Sequence, residues 1–182
     1  MKKRVLVSLA VLALISTGAA QAAGNVNFLL GQRELDDDVW GSDFESQPAF
    51  GVQADFGGSQ WPVLMAVGLH LSGQSEDYGY GDVTVAVAEI SFGANWLPLR
   101  KGAVRPYLGG GFESVGLAID TPYDDTESDS SLGYYVNGGI YWRLGDHFNL
   151  GLDLRLLRGT DFDKFGVNAN CTQYSLLLGF GW

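Results

Sequence analysis

The amino-acid sequence predicts an all-β fold, an eight-stranded antiparallel up-and-down transmembrane β-barrel, on three observations. Segments with large apolar residues on one parity and small or polar residues on the other recur about every twenty residues, the period-two signature of strands. Beyond the N-terminal segment, no apolar run is long enough for a membrane-spanning helix. The connections alternate between short turns and long acidic loops, as they do in barrels that cross an outer membrane. The closing stretch, 171–182, shows the split most clearly. Thr172, Tyr174, Leu176, Leu178, Phe180 and Trp182 share one face, and Cys171, Gln173, Ser175, Leu177, Gly179 and Gly181 share the other.

Residues 1–22 read as a cleaved secretory signal, leaving 23–182 as one barrel domain. Lys2, Lys3 and Arg4 precede an apolar core over 5–15, and Ala20-Gln21-Ala22 places small residues where a signal peptidase reads them. Three of the 11 Lys and Arg lie in that signal, so 8 face 21 Asp and Glu in the exported domain, a net of −13. Such a surface repels nucleic acid, and no nucleic-acid partner is expected. The single cysteine, Cys171, excludes an internal disulfide framework and reads as a small packing residue.

The strands follow in order. Segment 25–33 presents Val26, Phe28 and Leu30; 47–56 presents Phe50, Val52, Ala54 and Phe56 against Gly51, Gln53 and Asp55. Segment 63–72 presents Val63, Met65, Val67, Leu69 and Leu71 against Ala66, Gly68, His70 and Ser72. In 84–96, Ile90, Phe92, Ala94 and Trp96 oppose Glu89, Ser91, Gly93 and Asn95, while valines in the first half sit on the other parity and allow a bulge near Val87. In 105–120 the apolar phase slips after Ser114. Segments 132–144 and 148–156 alternate cleanly, and 171–182 makes eight. The predicted turns are 57–60, 99–103 and 145–147; the predicted long loops are 34–46, 73–82, 121–130 and 159–170.

A soluble sandwich or lipocalin-like barrel would turn the polar parity to water. That parity is too rich in Gly, Ser, Asn and Gln for a solvent-facing skin, and it suits the narrow interior of an eight-strand barrel. The large parity, with Trp96, Trp142, Phe148 and Trp182 near the short turns, suits a lipid band with an aromatic girdle.

Three stretches carry a family resemblance: PYLGGGFE at 106–113, LGDHFNLGLDLRL at 144–156 and YSLLLGFGW at 174–182. On them the exported domain resembles the small eight-stranded outer-membrane barrels of the OmpA/OmpX type. The resemblance implies the outer membrane of a Gram-negative bacterium, with both termini in the periplasm. It implies contact with the lipid bilayer and lipopolysaccharide, and handling by periplasmic chaperones and the barrel-assembly machinery. Tyr174, Leu176, Leu178, Phe180 and Trp182 would then form the assembly signal. No cell-wall tether is expected, since no peptidoglycan-binding segment follows the barrel.

Chemistry-bearing residues fall into three groups. Arg33, Asp55, His70, Glu89, Glu113, Arg143, Asp153 and Arg155 sit on the small-residue parity, where they are expected to pair inside the lumen and plug it. His70 and Ser72, at i and i+2, share one face of a strand and resemble the His-x-Ser element of outer-membrane lipid A deacylases, with Glu76 or Glu89 to orient the imidazole. The family's Ser is usually followed by Asn, and here Gly73 follows, so coincidence is the favoured reading and no catalytic role is assigned. Counting Asp120 at the edge of the third, the loops hold 16 of the 21 acids. Among them Asp36, Asp37, Asp38, Asp124 and Asp125 are candidate ligands for divalent cations, although no run has the spacing of a calcium loop. Cofactors are expected to be none and enzymatic activity absent. The expected role is structural or surface-interactive, through acidic loops that meet divalent cations or host surface molecules. A narrow porin is the alternative, and a lipid A-modifying hydrolase comes third.

Overall fold

The computed structural model describes residues 22–36, 40–79, 81–122 and 124–182, apart from the side chains of Ala22, Asp124 and Asp125. The proposed signal before Ala22 therefore lies outside the described residues. Eight strands form one closed barrel: β1 (Ala22–Leu35), β2 (Ser46–Gly58), β3 (Val63–Asp77), β4 (Asp82–Trp96), β5 (Val104–Thr121), β6 (Asp124–Leu144), β7 (Phe148–Arg158) and β8 (Cys171–Gly181). Every neighbouring pair is antiparallel, and β8 closes on β1. Among the described residues no helix is long and apolar enough to cross a membrane; strands with all backbone groups paired do so instead.

The registers fix the size of the tube. From Asn25 the ladder runs through Asp55, Ala66, Gly93, Gly111, Tyr135, Leu157 and Cys171 and returns to β1 at Leu35, ten residues further on. Eight strands with that stagger tilt by roughly 35–45° and leave an interior that side chains just fill. Closure also uses the last residue: Trp182 N–H donates to the Gly24 carbonyl at 3.0 Å, and Gly24 N–H returns a bond at 3.3 Å.

Outward, the apolar band is exposed on every strand, with Phe92, Leu152, Leu176 and Phe180 among its members. On β8 the band runs from Tyr174 to Trp182 and on β6 from Tyr134 to Trp142, so aromatic residues bound it at both ends. Eight residues rise about 26 Å along a strand, or roughly 20 Å across a tilted barrel. Leu132 and Leu144 extend the β6 band at its two ends, towards the height of about 25 Å usual for such bands.

Above that band the barrel turns its pattern over. Val85, Val87, Val115 and Leu117 point inward and are buried, while Ala86, Ala88, Gly116 and Ala118 alternate with them on the outside. The registers Glu89–Val115 and Val87–Leu117 run straight through this level, and β3 pairs with β4 without a break from Val63–Trp96 to Asp77–Asp82. The bulge expected near Val87 is therefore corrected, while the expected slip of the apolar phase after Ser114 is present as a change of chemistry with no break in register. The register holds and the chemistry inverts, because the strands have left lipid for water. In water the core belongs on the concave side. One irregularity does occur, between Ile119 and Thr121 on β5.

Two of the predicted loops are mostly strand. The ladder takes in 73–77 on β3 and 124–130 on β6, so 73–82 shrinks to a connection at 78–81 and 121–130 to one at 122–123. Loop 36–45 carries a single helical turn, Gly41–Phe44, and loop 159–170 carries a small bridge between Phe162 and Val167.

The inversion predicts opposite outcomes for neighbouring positions. Val115→Asp should cost about 3 kcal/mol or more by burying an unpaired carboxyl, and Ala88→Asp within about 0.5 kcal/mol. In the lipid band, Leu152→Lys should cost about 2–4 kcal/mol. Urea unfolding midpoints in lipid vesicles check all three, and equal costs at Val115 and Ala88 would refute the inversion.

Candidate functional site

The lumen is stacked in layers because every second residue of each strand points into it. At the long-loop end Leu35, Val85, Val87, Val115, Leu117, Leu157 and Cys171 form an apolar cluster, joined by Trp40 and Phe44 from loop 36–45 and Phe162, Val167 and Ala169 from loop 159–170. At the other end Leu64, Leu97, Tyr107 and Tyr141 cluster with Leu29 and Leu177. Polar residues fill the space between.

The upper polar layer holds two ion pairs. Arg33 pairs with Glu89, and its Nη2 donates to Gln173 Oε1 at 3.4 Å. Arg155 Nη2 meets Glu113 Oε1 at 2.8 Å, and its guanidinium lies 3.7 Å above the centre of the Tyr135 ring. All four charged groups are 1% exposed. Glycine makes this possible at Gly93, where a Cβ would meet the Tyr135 hydroxyl at 2.5 Å. Replacing one partner of such a pair leaves a buried charge without its counterion, whereas replacing both by apolar groups can be neutral.

The lower polar layer is different. Asp55 accepts hydrogen bonds from Asn95 Nδ2 at 2.8 Å, Gln53 Nε2 at 3.1 Å and Asn27 Nδ2 at 3.4 Å. Asp153 accepts from the Tyr107 hydroxyl and, at 3.3 Å, from Asn137 Nδ2. Among the described residues no Lys or Arg lies within ion-pair distance of either carboxylate. Arg143 is only part-buried, at the short-turn mouth, where it donates to Asn25 Oδ1 at 3.0 Å and to the Asp146 carbonyl at 2.9 Å.

His70 and Ser72 both point inward, but they do not work on each other. The Ser72 hydroxyl donates to Gln47 Oε1 at 2.9 Å, and neither nitrogen of His70 has a hydrogen-bond partner. Glu89 is held by Arg33, and Glu76 accepts from Gln74 Nε2 at 2.7 Å, so no carboxylate orients the imidazole. The arrangement lacks the base–nucleophile contact of a hydrolase.

The rim at the long-loop end is acidic and tied together. Asp36, Asp43, Glu45, Asp77, Asp82, Asp120, Glu127, Asp161 and Asp163 are exposed. Of the basic residues there, Arg158 meets Asp36 at 2.8 Å and Lys164 meets Glu127 at 3.5 Å. Trp40 Nε1 donates to the Asn168 carbonyl at 2.8 Å, the Tyr78 hydroxyl to Asp43 at 3.0 Å, and Lys164 N–H to Asp129 Oδ2 at 3.2 Å. The candidate cation ligands Asp37 and Asp38, and the side chains of Asp124 and Asp125, lie outside the described residues. Among the described residues no three His, Cys, Asp or Glu side chains converge as a metal cluster.

Tyr174, Leu176, Leu178, Phe180 and Trp182 face outward along the whole length of the β8 band, and at its short-turn end His147 stacks on Phe180 at 5.0 Å. Trp61, 62% exposed in turn 59–62, belongs to the same girdle. Sequence parity missed it because it lies in a turn.

A closed tube with lipid-facing aromatics, a polar interior and one loop-rich end defines an integral outer-membrane β-barrel. Residues 7–182 match the family described as Outer membrane protein beta-barrel domain, and the chain belongs to it. Its place is the outer membrane, in contact with the lipid bilayer. Among solved structures it resembles Ail, the attachment invasion locus protein of Yersinia pestis, at a TM-score of 0.60 and 10% identity over 89% of this chain and 98% of that one. It also resembles Neisserial surface protein A (TM-score 0.59, 13% identity, 88% and 95% covered). OprG from Pseudomonas aeruginosa is similar too (TM-score 0.55, 13% identity, 88% and 94% covered). No curated protein sequence matches the chain.

Removing one member of an upper pair should cost more than removing both. Glu89→Leu alone should destabilise by about 3–5 kcal/mol, and Arg33→Met with Glu89→Leu by clearly less. A double-mutant cycle on unfolding midpoints measures the difference; simple additivity would show that the pair is not coupled.

Proposed function

We propose that this protein is a non-enzymatic surface barrel with a closed lumen, which presents a fixed acidic platform to cationic partners outside the cell. The observation that carries the reading is the outer cap. Trp40, Phe44, Phe162 and Val167 pack on the inward valines of β4 and β5. Two ion pairs lie below, in a tube whose interior side chains fill. A porin would need a wet path through both layers. A lipid-modifying enzyme would need an accessible nucleophile, and Ser72 is committed to Gln47.

The rim supports the choice of partner. Among the described residues both basic side chains that form ion pairs there pair with rim acids, and the remaining exposed carboxylates have no cationic partner and set the field. Such a field draws cationic segments and divalent ions, the latter also bridging to lipopolysaccharide phosphates. Ail is seen with sucrose octasulfate, a heparin analogue. A polyanion of that kind is repelled by the rim of this chain, so the likeness extends to the fold and not to the ligand. Removal of 1–22 on export, and reading of the β8 aromatics by the assembly machinery with help from periplasmic chaperones, complete the proposal.

Two measurements test it. Planar-bilayer recordings of the purified barrel should show no steady conductance; open, ion-conducting steps would revive the porin reading. A lysine-rich peptide should bind barrels in neutral vesicles with strong salt dependence. Conversion of Asp36, Asp43, Asp77, Glu127, Asp161 and Asp163 to their amides should weaken it about tenfold or more. Unchanged affinity in that variant would sink the platform.

A further inference from the structure

The lower lumen carries two buried carboxylates, Asp55 and Asp153, each 5% exposed, with only neutral donors around them. They lie within the height of the lipid band, between the Leu64–Leu97–Tyr141 cluster below and the ion-pair layer above. Asn95 and Asn137 are their neighbours and flank Gly109 on the ladder, as the pairs Asn95–Gly109 and Gly109–Asn137. Each amide spends its NH₂ on a carboxylate: Asn95 on Asp55 and Asn137 on Asp153. That fixes both amide oxygens the other way. They converge over Gly109, where a Cβ would collide with each of them.

Neither of those oxygens has a hydrogen-bond partner, and Asp153 Oδ1 has none either, although all three are enclosed. Asn95 is 1% and Asn137 2% exposed. Two carbonyl dipoles pointing at one spot repel each other unless something positive stands between them. The upper layer poses no such problem, since its arginines balance its glutamates.

We propose that the lower lumen holds one hard divalent cation, calcium, taken by the amide oxygens of Asn95 and Asn137 and by Asp153, with Asp55 completing the charge balance. Carboxylate and amide oxygens are the ligands calcium uses, and its irregular, flexible coordination suits side chains fixed by a barrel register. Magnesium demands a near-ideal octahedron and gives up water reluctantly, which this strand geometry does not favour. The charge of the ion equals that of the two carboxylates. The cap above and the cluster below mean that the ion enters before the barrel closes and thereafter exchanges slowly, unlike any ion on the open rim.

The test is refolding of the mature chain into neutral lipid vesicles with calcium, with magnesium, or with chelator alone, followed by a chelator wash. Retained metal and the urea unfolding midpoint are then measured. The native barrel should keep about one calcium through the wash and unfold at higher urea than the chelator-refolded form, whereas magnesium should give neither effect. The Asp55→Asn/Asp153→Asn variant should keep none and lose the calcium-dependent shift. If that variant does not fold, Asn137→Leu removes one ligand oxygen and leaves both carboxylates, and should likewise release the ion. No retained calcium together with an unchanged midpoint in the native barrel would overturn the site, in favour of water or protons there. Equal retention in the variants would assign the metal to the rim and overturn it as well.

Discussion

The constraint on which the rest depends is closure of the backbone ladder in lipid. Unpaired N–H and C=O groups cannot be left facing hydrocarbon, so β8 must find β1. It does so in a register that returns ten residues along β1 after one circuit. That stagger sets the tilt, and the tilt sets the bore. An interior only as wide as its own side chains must be filled by them. Inward side chains therefore share the bore with glycines that yield them room, Gly93 to Tyr135 and Gly109 to Asn95 and Asn137.

The same tube crosses two solvents, and its residues record the crossing. In lipid the outside is apolar and the inside polar. Past Ser114 and Ala88 the outside becomes small and polar, and the inside becomes valine and leucine. Both halves obey one rule, that apolar surface goes where water is not. The extension at the long-loop end is in effect a small soluble barrel stacked on a membrane one. Its core lies inside the tube because nothing outside offers cover, and loops 36–45 and 159–170 supply its lid.

This is also why the sequence was legible in some places and not in others. Period-two alternation in Leu150, Leu152, Leu154 and Leu156 or in Tyr174 to Trp182 allows one structure, and it located strands and faces. The flips at Val85–Val87 and Val115–Leu117 look like register errors when each strand is read alone. They become a coherent layer only once β4 and β5 are laid side by side, where the flips fall on ladder partners. Residues 73–77 and 124–130 read as loop because a strand in water carries the polarity of a loop. The site was legible as a list of inward charges and not as pairs. Arg33 meets Glu89 across three strands, and no local spacing encodes that meeting.

Buried ion pairs contribute little net stability by themselves, so their value in this barrel lies elsewhere. A strand that slipped by one residue would exchange its faces entirely. On β7 that slip would place Asp153 and Arg155 against lipid and pull Leu152 and Leu154 inward; on β4 it would expose Glu89. Charged residues facing lipid at mid-membrane cost up to about 2–4 kcal/mol each, falling towards the interfaces. A slip would also separate Arg33 from Glu89 and Arg155 from Glu113. The inward charges thus penalise every odd register of the strands that carry them, while the correct register satisfies them by pairing. In a fold whose outer face is nearly uniform Leu, Phe and Val, and so tolerant of sliding, that penalty makes the registration of β1, β4, β5 and β7 unique.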